Sequence, residues 1–146
     1  MFYFFYYVPV GINVPMRRTP VLTYAYTGLC VLVFVLARYF EHRIPFDFYR
    51  LIYYPDEANV MTAVLAAFVH FGYLHLIGNL VYLFLFGRYV EDRMGPVLFS
   101  LVIFGSAAAG NVAQGLVNTY ILHDPYVGVL GASGAVSGLL GVAVIR

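Results

Sequence analysis

The chain has 146 residues, of which 62% are hydrophobic and only 10% are charged, and its mean hydropathy is +0.84. Soluble domains are nearer half apolar and a quarter charged, so this composition indicates a membrane protein. A formal net charge of +1 argues against a nucleic-acid partner, because such partners usually require a basic patch. With one cysteine and no metal-binding histidine motif, we expect no intrachain disulfide, no metal site and no cofactor.

The N-terminal part of the sequence is predicted to run from the membrane interface into a first transmembrane helix. Residues 1–19 are rich in Tyr and Phe but broken by prolines and a glycine, which is typical of an interfacial segment. The helical domain then spans 20–146, and its first apolar run, about 20–38, is long enough to cross a bilayer. Charged and aromatic residues are mixed through 39–59, so we predict a loop that lies at the interface.

Glycine, proline and charged residues divide the rest of the chain into further helices. The apolar stretch after Asn59 is too long for one span, and we divide it at Gly72. A charged turn is predicted at 87–95, and Pro96 suits the first turn of the helix that follows. We therefore predict an all-α polytopic membrane helix bundle with about four transmembrane helices. Its elements after the loop are a short helix at about 60–71 and transmembrane helices at about 73–89, 96–117 and 132–146.

The distribution of arginine predicts the orientation of these helices. Cytoplasmic loops carry an excess of Arg and Lys, and the 87–95 turn contains two arginines whereas the 118–131 loop contains none. With the N-terminus in the cytoplasm, five arginines face the cytoplasm and three face outward, and this is the orientation we expect. The second and fourth helices then run in the same direction, so both begin near the outer face.

Polar side chains recur at one depth near the start of these two helices. His75 and Asn79 are four residues apart and so share one face of the second helix. His75 lies thirteen residues before Arg88, and Ser133 lies thirteen before Arg146. If both arginines mark the inner interface, each polar group lies roughly 20 Å above it, at about 1.5 Å per residue. Polar groups are costly in hydrocarbon, so this coincidence favours a functional site.

The serine has the surroundings that an activated nucleophile needs. Gly131 and Gly134 flank Ser133 closely and permit another backbone or a substrate to approach, because glycine has no Cβ. The free N–H groups of a helix N-terminus favour developing negative charge. Attack by a serine on a carbonyl creates an oxyanion, to which His75 and Asn79 can donate. The pattern indicates acyl transfer, although the glycines alone would equally suit a packing face between helices.

Three segments, in this order, resemble the rhomboid family of intramembrane serine proteases. They are His70–Asn79 (HFGYLHLIGN), Gly87–Gly95 (GRYVEDRMG) and Gly131–Gly138 (GASGAVSG). The resemblance covers about residues 60–146, and the first predicted helix fits in its place. It implies that 20–146 is a partial, rhomboid-like domain truncated to about four transmembrane helices.

The same resemblance implies roles for individual residues. Ser133 is the expected nucleophile, and His75 and Asn79 are expected to stabilise the oxyanion. The supporting positions are His70, Gly131 and Gly134. The family's general base is a histidine on the sixth transmembrane helix, so we expect it beyond the end of this chain, which we predict to be inactive alone. Transmembrane protein substrates and the lipid bilayer are the partners that the resemblance implies.

Two other readings stay open at this point. The first is a catalytically inactive rhomboid-like protein that binds and escorts membrane proteins, although such a protein has no need for the Ser133, His75 and Asn79 set. The second is an unrelated helical membrane protein with a glycine-rich packing face. That reading explains the glycines but leaves the shared depth of the polar groups without a reason.

Overall fold

The computed structural model describes residues 15–40, 43 and 47–145. Most of the predicted interfacial segment and part of the first loop therefore lie outside the described residues. Within those ranges the fold has no β-strand, and Tyr53 and Val129 form an isolated antiparallel bridge. The α-helices are α1 (Val21–Tyr39), α2 (Val60–Leu65), α3 (Tyr73–Tyr120) and α4 (Ser133–Ile145), and short 3₁₀ turns occupy Phe48–Leu51, Pro55–Glu57 and Ala66–Phe68.

Helix α3 is a hairpin that folds back at Gly95. This glycine has φ 78° and ψ 170°, which is not helical, and such a positive φ favours glycine. Gly131 contacts His75, whereas Gly134, only three residues later, contacts Gly110. In one straight helix, residues 75 and 110 would be about 50 Å apart. The arms before and after Gly95, named α3a (residues 73–94) and α3b (96–120), therefore lie side by side.

The bounds of this hairpin correct one prediction and agree with others. The charged stretch at 87–95 was predicted as a turn, but it is helical as far as residue 94. The reversal needs only Gly95, because Pro96 lacks an N–H and starts the next arm without losing a hydrogen bond. Gly72 precedes α3 as predicted, in an extended conformation.

The predicted short helix at 60–71 is also shorter and less regular than expected. Helix α2 ends at Leu65, a 3₁₀ turn follows, and Val69 already has an extended backbone. The Asn59 side chain accepts a hydrogen bond from the Met61 N–H at 2.7 Å, which caps the start of α2. The residues after this short helix leave the helical conformation, and they accept hydrogen bonds from the backbone just before α4, as described below.

Two helices in the described part of the chain are long and apolar enough to cross a bilayer. They are Val21–Tyr39, with a mean hydropathy of 1.8, and Tyr73–Tyr120, with 1.7. The second has 48 residues, more than twice the roughly 20 that one crossing requires. Ser133–Ile145 is apolar but shorter. Large apolar side chains such as Leu74 and Leu101 are exposed on the outer faces of the arms, which is the expected arrangement in lipid.

Small residues bring α4 into close contact with α3b. A Cβ added to Gly110 would lie 2.8 Å from Gly134 Cα, and one added to Gly134 would lie 2.9 Å from the Ser106 carbonyl oxygen. Such close backbone approach is typical of helix packing in membranes. The shared core includes Leu83, Phe99, Ile103, Ala107, Ala135 and Leu139.

Carboxylates near the end of α3a secure the start of α1. Pro20 precedes α1 and provides no side-chain cap. Glu91 instead accepts hydrogen bonds from the Leu22 N–H at 2.9 Å and from both the N–H and the hydroxyl of Thr23 at 2.8 Å. The adjacent Asp92 accepts the N–H groups of the two arginines before the helix, at 2.6 and 2.7 Å. These bonds explain why the two carboxylates are buried.

Candidate active site

Ser133 is the first residue of α4, and its side chain is exposed. The first hydrogen bond of the helix runs from the Val136 N–H to the Ala132 carbonyl at 2.9 Å. The N–H groups of Ser133, Gly134 and Ala135 have no backbone partner within the described ranges. The serine hydroxyl therefore lies beside unpaired donors at the positive end of a helix dipole, an arrangement that favours an anion.

The start of α3a contacts the residue two positions before Ser133. Gly131 has φ +108°, and a Cβ there would lie 2.6 Å from His75 Cε1 and 2.7 Å from His75 Nε2. The same added atom would lie 3.7 Å from Asn79 Nδ2. The structure thus brings His75, Asn79 and the Ser133 segment together, and only glycine fits at position 131.

The amide of Asn79 and the ring of His75 have different hydrogen-bond states. Asn79 Nδ2 donates one N–H to the His75 carbonyl at 3.0 Å, and an amide nitrogen has a second N–H to offer. Asn79 is buried, whereas His75 is half-buried. His75 Nδ1 is buried without a hydrogen-bond partner, and the Cε1–Nε2 edge of the ring faces Gly131. Each side chain thus retains polar capacity near the start of α4.

His70 lies under the same segment, and both of its ring nitrogens are engaged. Its Nδ1 donates to the Phe68 carbonyl at 3.2 Å, and its Nε2 accepts the Ala132 N–H at 3.4 Å. The rings of His70 and His75 meet edge to face, with centroids 5.2 Å apart. Burial lowers the pKa of His70 to about 4, with a smaller contribution from His75, although the bond to Phe68 opposes the shift. His70 is therefore neutral at pH 7.

A cavity of about 450 Å³ opens beside His70, between the end of α1 and the chain that leads into α3. It is mostly apolar and includes Phe34, Phe48 and Ile52 together with Arg38. Ser133 is not among its lining residues in the described part of the chain. The cavity therefore lies beside His70 and does not include Ser133.

The sequence does not reveal several contacts that build the site. The Ala66 carbonyl accepts the Gly131 N–H at 2.9 Å, and Ala132 is fully buried against His70. Alanines in an apolar run give no signal of such a role. Ser137 is exposed and its hydroxyl donates to the Ser133 carbonyl at 2.8 Å.

The geometry is suited to acyl transfer by a serine more than to other chemistry. Among the described residues no group of three or more His, Cys, Asp or Glu side chains could hold a metal ion. The candidate donors near the Ser133 segment are backbone N–H groups, the Asn79 amide and the His75 imidazole. Such neutral donors stabilise the oxyanion of a tetrahedral intermediate.

A protein-family model for the rhomboid domain matches residues 57–146, more than half of the chain. The chain belongs to the rhomboid family. It is accordingly an all-α membrane helix bundle of the rhomboid type, as the sequence predicted. The unrelated-protein reading is thereby excluded, since the family match covers both arms of the hairpin and α4.

Three curated relatives are similar to this rhomboid chain. Rhomboid protease GlpG of Haemophilus influenzae is 30% identical over 127 residues, which cover 86% of this chain and 62% of the relative. Putative rhomboid protease YdcA of Bacillus subtilis is 41% identical over 75 residues, covering 51% of this chain and 35% of the relative. Rhomboid-like protein 11, chloroplastic, of Arabidopsis thaliana is 39% identical over 82 residues, covering 56% and 28%.

The chain thus spans between about a quarter and three fifths of the length of these relatives. Two of them are named as proteases and the third as rhomboid-like. No solved structure matches the chain significantly.

Proposed function

We propose that this rhomboid chain carries the nucleophile and the oxyanion donors of an intramembrane serine endopeptidase. Ser133 Oγ attacks a peptide carbonyl of a transmembrane substrate and gives its proton to a general base. The tetrahedral intermediate then collapses with cleavage of the peptide C–N bond, the amine leaves with that proton, and water later hydrolyses the acyl-enzyme ester. His75, Asn79 and the Ser133 N–H stabilise the oxyanion. Gly131 and Gly134 support the geometry by admitting close contacts on either side of the serine.

The observation that carries this proposal is the contact of Gly131 with both His75 and Asn79. The His75 ring and the Asn79 amide lie beside Gly131, which is two positions before Ser133, the first residue of α4. Packing between helices would not by itself require a glycine with a positive φ beside a histidine ring and an amide. An oxyanion site requires donors of this kind beside the nucleophile.

None of the described histidines is assigned as the general base of the proposed reaction. Ser133 Oγ forms no hydrogen bond to a histidine within the part of the chain that the structure describes. Both nitrogens of His70 are already engaged, and His123 is exposed in the loop before α4. Of the two described histidines near the serine, His75 is the one with an unpartnered ring nitrogen, and we assign it to the oxyanion. A serine without an adjacent base is a weak nucleophile.

The membrane arrangement of the proposed enzyme is multi-pass, with the N-terminus in the cytoplasm. The partners are transmembrane protein substrates and lipid, with no role for nucleic acid. The apolar hairpin, which is long enough for two crossings, supports the multi-pass arrangement. The arginines near Gly95 support the orientation. The carboxylate bonds of Glu91 and Asp92 hold the start of α1 at that same end.

A fluorophosphonate probe tests the nucleophile in the complete protein in detergent. We expect the probe to label the wild type, Ser133→Ala to lose the label, and Ser137→Ala to keep it. Ser137 is the matched control because it is exposed one turn along the same helix. Labelling that survives in Ser133→Ala would refute the assignment. Absence of label in all three proteins would favour the alternative, an inactive rhomboid-like protein that binds and escorts membrane proteins.

Cleavage of a fluorogenic transmembrane substrate tests the donors. Asn79→Ala is expected to lower kcat by about 10²–10³-fold, the usual effect of removing one oxyanion donor. The 146-residue chain alone is expected to show no Ser133-dependent cleavage, because both ring nitrogens of His70 are engaged and His75 is assigned to the oxyanion. Cleavage by this chain that disappears in Ser133→Ala would mean that His75 is the base and not an oxyanion donor.

A further inference from the structure

We propose that His70 is a positioning residue for the nucleophile: its neutral ring, protonated at Nδ1, accepts the Ala132 N–H and holds the start of α4 in place. This inference rests on the proposed function of Ser133. It assigns to His70 no contact with a reacting atom.

The two hydrogen bonds of the ring define one tautomer. A carbonyl oxygen only accepts, so the 3.2 Å contact with Phe68 requires a proton on Nδ1. A peptide N–H only donates, so the 3.4 Å contact with Ala132 requires a bare Nε2. Both bonds can exist together only in the neutral Nδ1–H form.

The bond to Ala132 is one of a pair that orders the backbone before the serine. The Gly131 N–H donates to the Ala66 carbonyl at 2.9 Å, and the Ala132 N–H donates to His70. Residues 66–70 thus hold both N–H groups that precede Ser133. The first unpaired N–H at the start of α4 is consequently that of Ser133 itself, which is the donor an oxyanion needs.

The surroundings of the ring keep it neutral. His70 is 5% exposed, and the titratable groups that face it are His75 on α3a, Arg38 on α1, Tyr49 on the first 3₁₀ turn and Tyr73. No carboxylate within the described ranges lines this space to stabilise an imidazolium. Burial accordingly lowers the pKa of His70.

If His70 Nε2 is protonated or removed, the Ala132 N–H loses its acceptor. A proton on Nε2 would point at the Ala132 N–H, and two donors cannot bond to each other. The buried Ala132 N–H would then have no partner, which is unfavourable. The start of α4, and with it the direction of the Ser133 N–H, would no longer be held by the 66–70 segment.

Two substitutions separate the acceptor from the rest of the side chain. His70→Gln keeps an amide oxygen that can reach the Nε2 position, whereas His70→Asn reaches only the Nδ1 position. His123→Gln is the control, because that histidine is exposed in a loop. Helical circular dichroism in micelles establishes that each variant folds.

Nuclear magnetic resonance of the full 146-residue chain in micelles gives the direct readout. At pH 7 we expect His70 to show a pyridine-type Nε2 and a pyrrole-type Nδ1. Hydrogen exchange at the Ala132 amide should be on the order of tenfold faster in His70→Asn, while His70→Gln and His123→Gln stay near the wild type. A protonated Nε2, or equal exchange in the Asn and Gln variants, would overturn the proposal.

Probe labelling of the complete protein links this contact to the nucleophile. We expect the rate of fluorophosphonate labelling to fall about tenfold in His70→Asn and to be restored in His70→Gln. If the wild type takes no label, the proposed protease function fails, while the tautomer and exchange measurements still decide the positioning. If the wild type is labelled and His70→Asn is labelled equally fast, the positioning role is wrong.

Discussion

Adding one methyl group at Gly131 should destabilise the protein and displace the His75 ring. A Cβ at this position would lie 2.6 Å from Cε1 and 2.7 Å from Nε2 of His75, closer than non-bonded atoms approach. Neither atom is the end of a flexible chain, because both belong to one rigid ring. The backbone also has φ +108°, a conformation that alanine rarely adopts.

The expected loss of stability has two parts. Holding a non-glycine residue at this φ costs about 1–3 kcal/mol. Relieving the overlap with the imidazole costs about 1–3 kcal/mol more, as for other overpacked sites. Gly131→Ala should therefore lower the free energy of unfolding by about 2–6 kcal/mol.

Unfolding by SDS titration in mixed micelles measures this loss. Gly141→Ala is the matched control, because a Cβ there meets nothing within 4 Å and the residue is in α4. Its stability should stay unchanged or rise by up to about 1 kcal/mol from helix propensity. If Gly131→Ala unfolds at the same SDS fraction as Gly141→Ala, the contact with His75 and the left-handed backbone are both refuted.

Three further predictions concern the carboxylate cap, the buried histidine and the contact between helices. Glu91→Gln should lower the free energy of unfolding in micelles by about 1–3 kcal/mol, because the single amide oxygen cannot replace the two carboxylate oxygens that cap α1. The exposed Glu57→Gln should cause no such loss, and equal losses in the two variants would contradict the cap. Because burial lowers the pKa of His70 from 6.5 to about 4, the unfolded chain takes up a proton first, and stability should fall by up to about 3 kcal/mol between pH 6.5 and 4. The His70→Gln variant should lack that part of the pH dependence, and an unchanged slope would show that His70 is not responsible. Gly134→Ala should lower the free energy of unfolding by about 1–3 kcal/mol, because the added Cβ would lie 2.9 Å from the Ser106 carbonyl oxygen and push α4 away. A stability equal to that of Gly141→Ala would exclude the close contact.

The sequence alone determined the class of protein and most helix starts. Composition indicated a membrane protein because lipid-facing helices need apolar side chains on every exposed face. Gly72 and Pro96 identified the starts of the two arms, since glycine and proline act on the local backbone whatever surrounds them. The three ordered motifs indicated the rhomboid family, which the family match confirms. These signals are local, so they can be recognised without coordinates.

The roles of Ser133, His75 and Asn79 stay predictions, although their proximity could be reasoned from helix direction. Their shared depth follows from the rise per residue and from two arginines taken to mark one interface. The contact of Gly131 with His75 and Asn79 is a finding of the structure, and it supports the same arrangement from independent geometry.

Only the tertiary structure decided how the chain reverses and what holds Ser133. A single glycine reverses the chain where a charged turn was predicted, because Glu91 and Asp92 are buried as caps for the start of α1 and remain helical. The Ala132 N–H donates to His70, which is 62 residues away in the sequence. Neither an alanine nor an isolated histidine in the sequence predicts that bond. Hydrogen bonds between distant segments depend on how helices pack, and a one-dimensional pattern does not record packing.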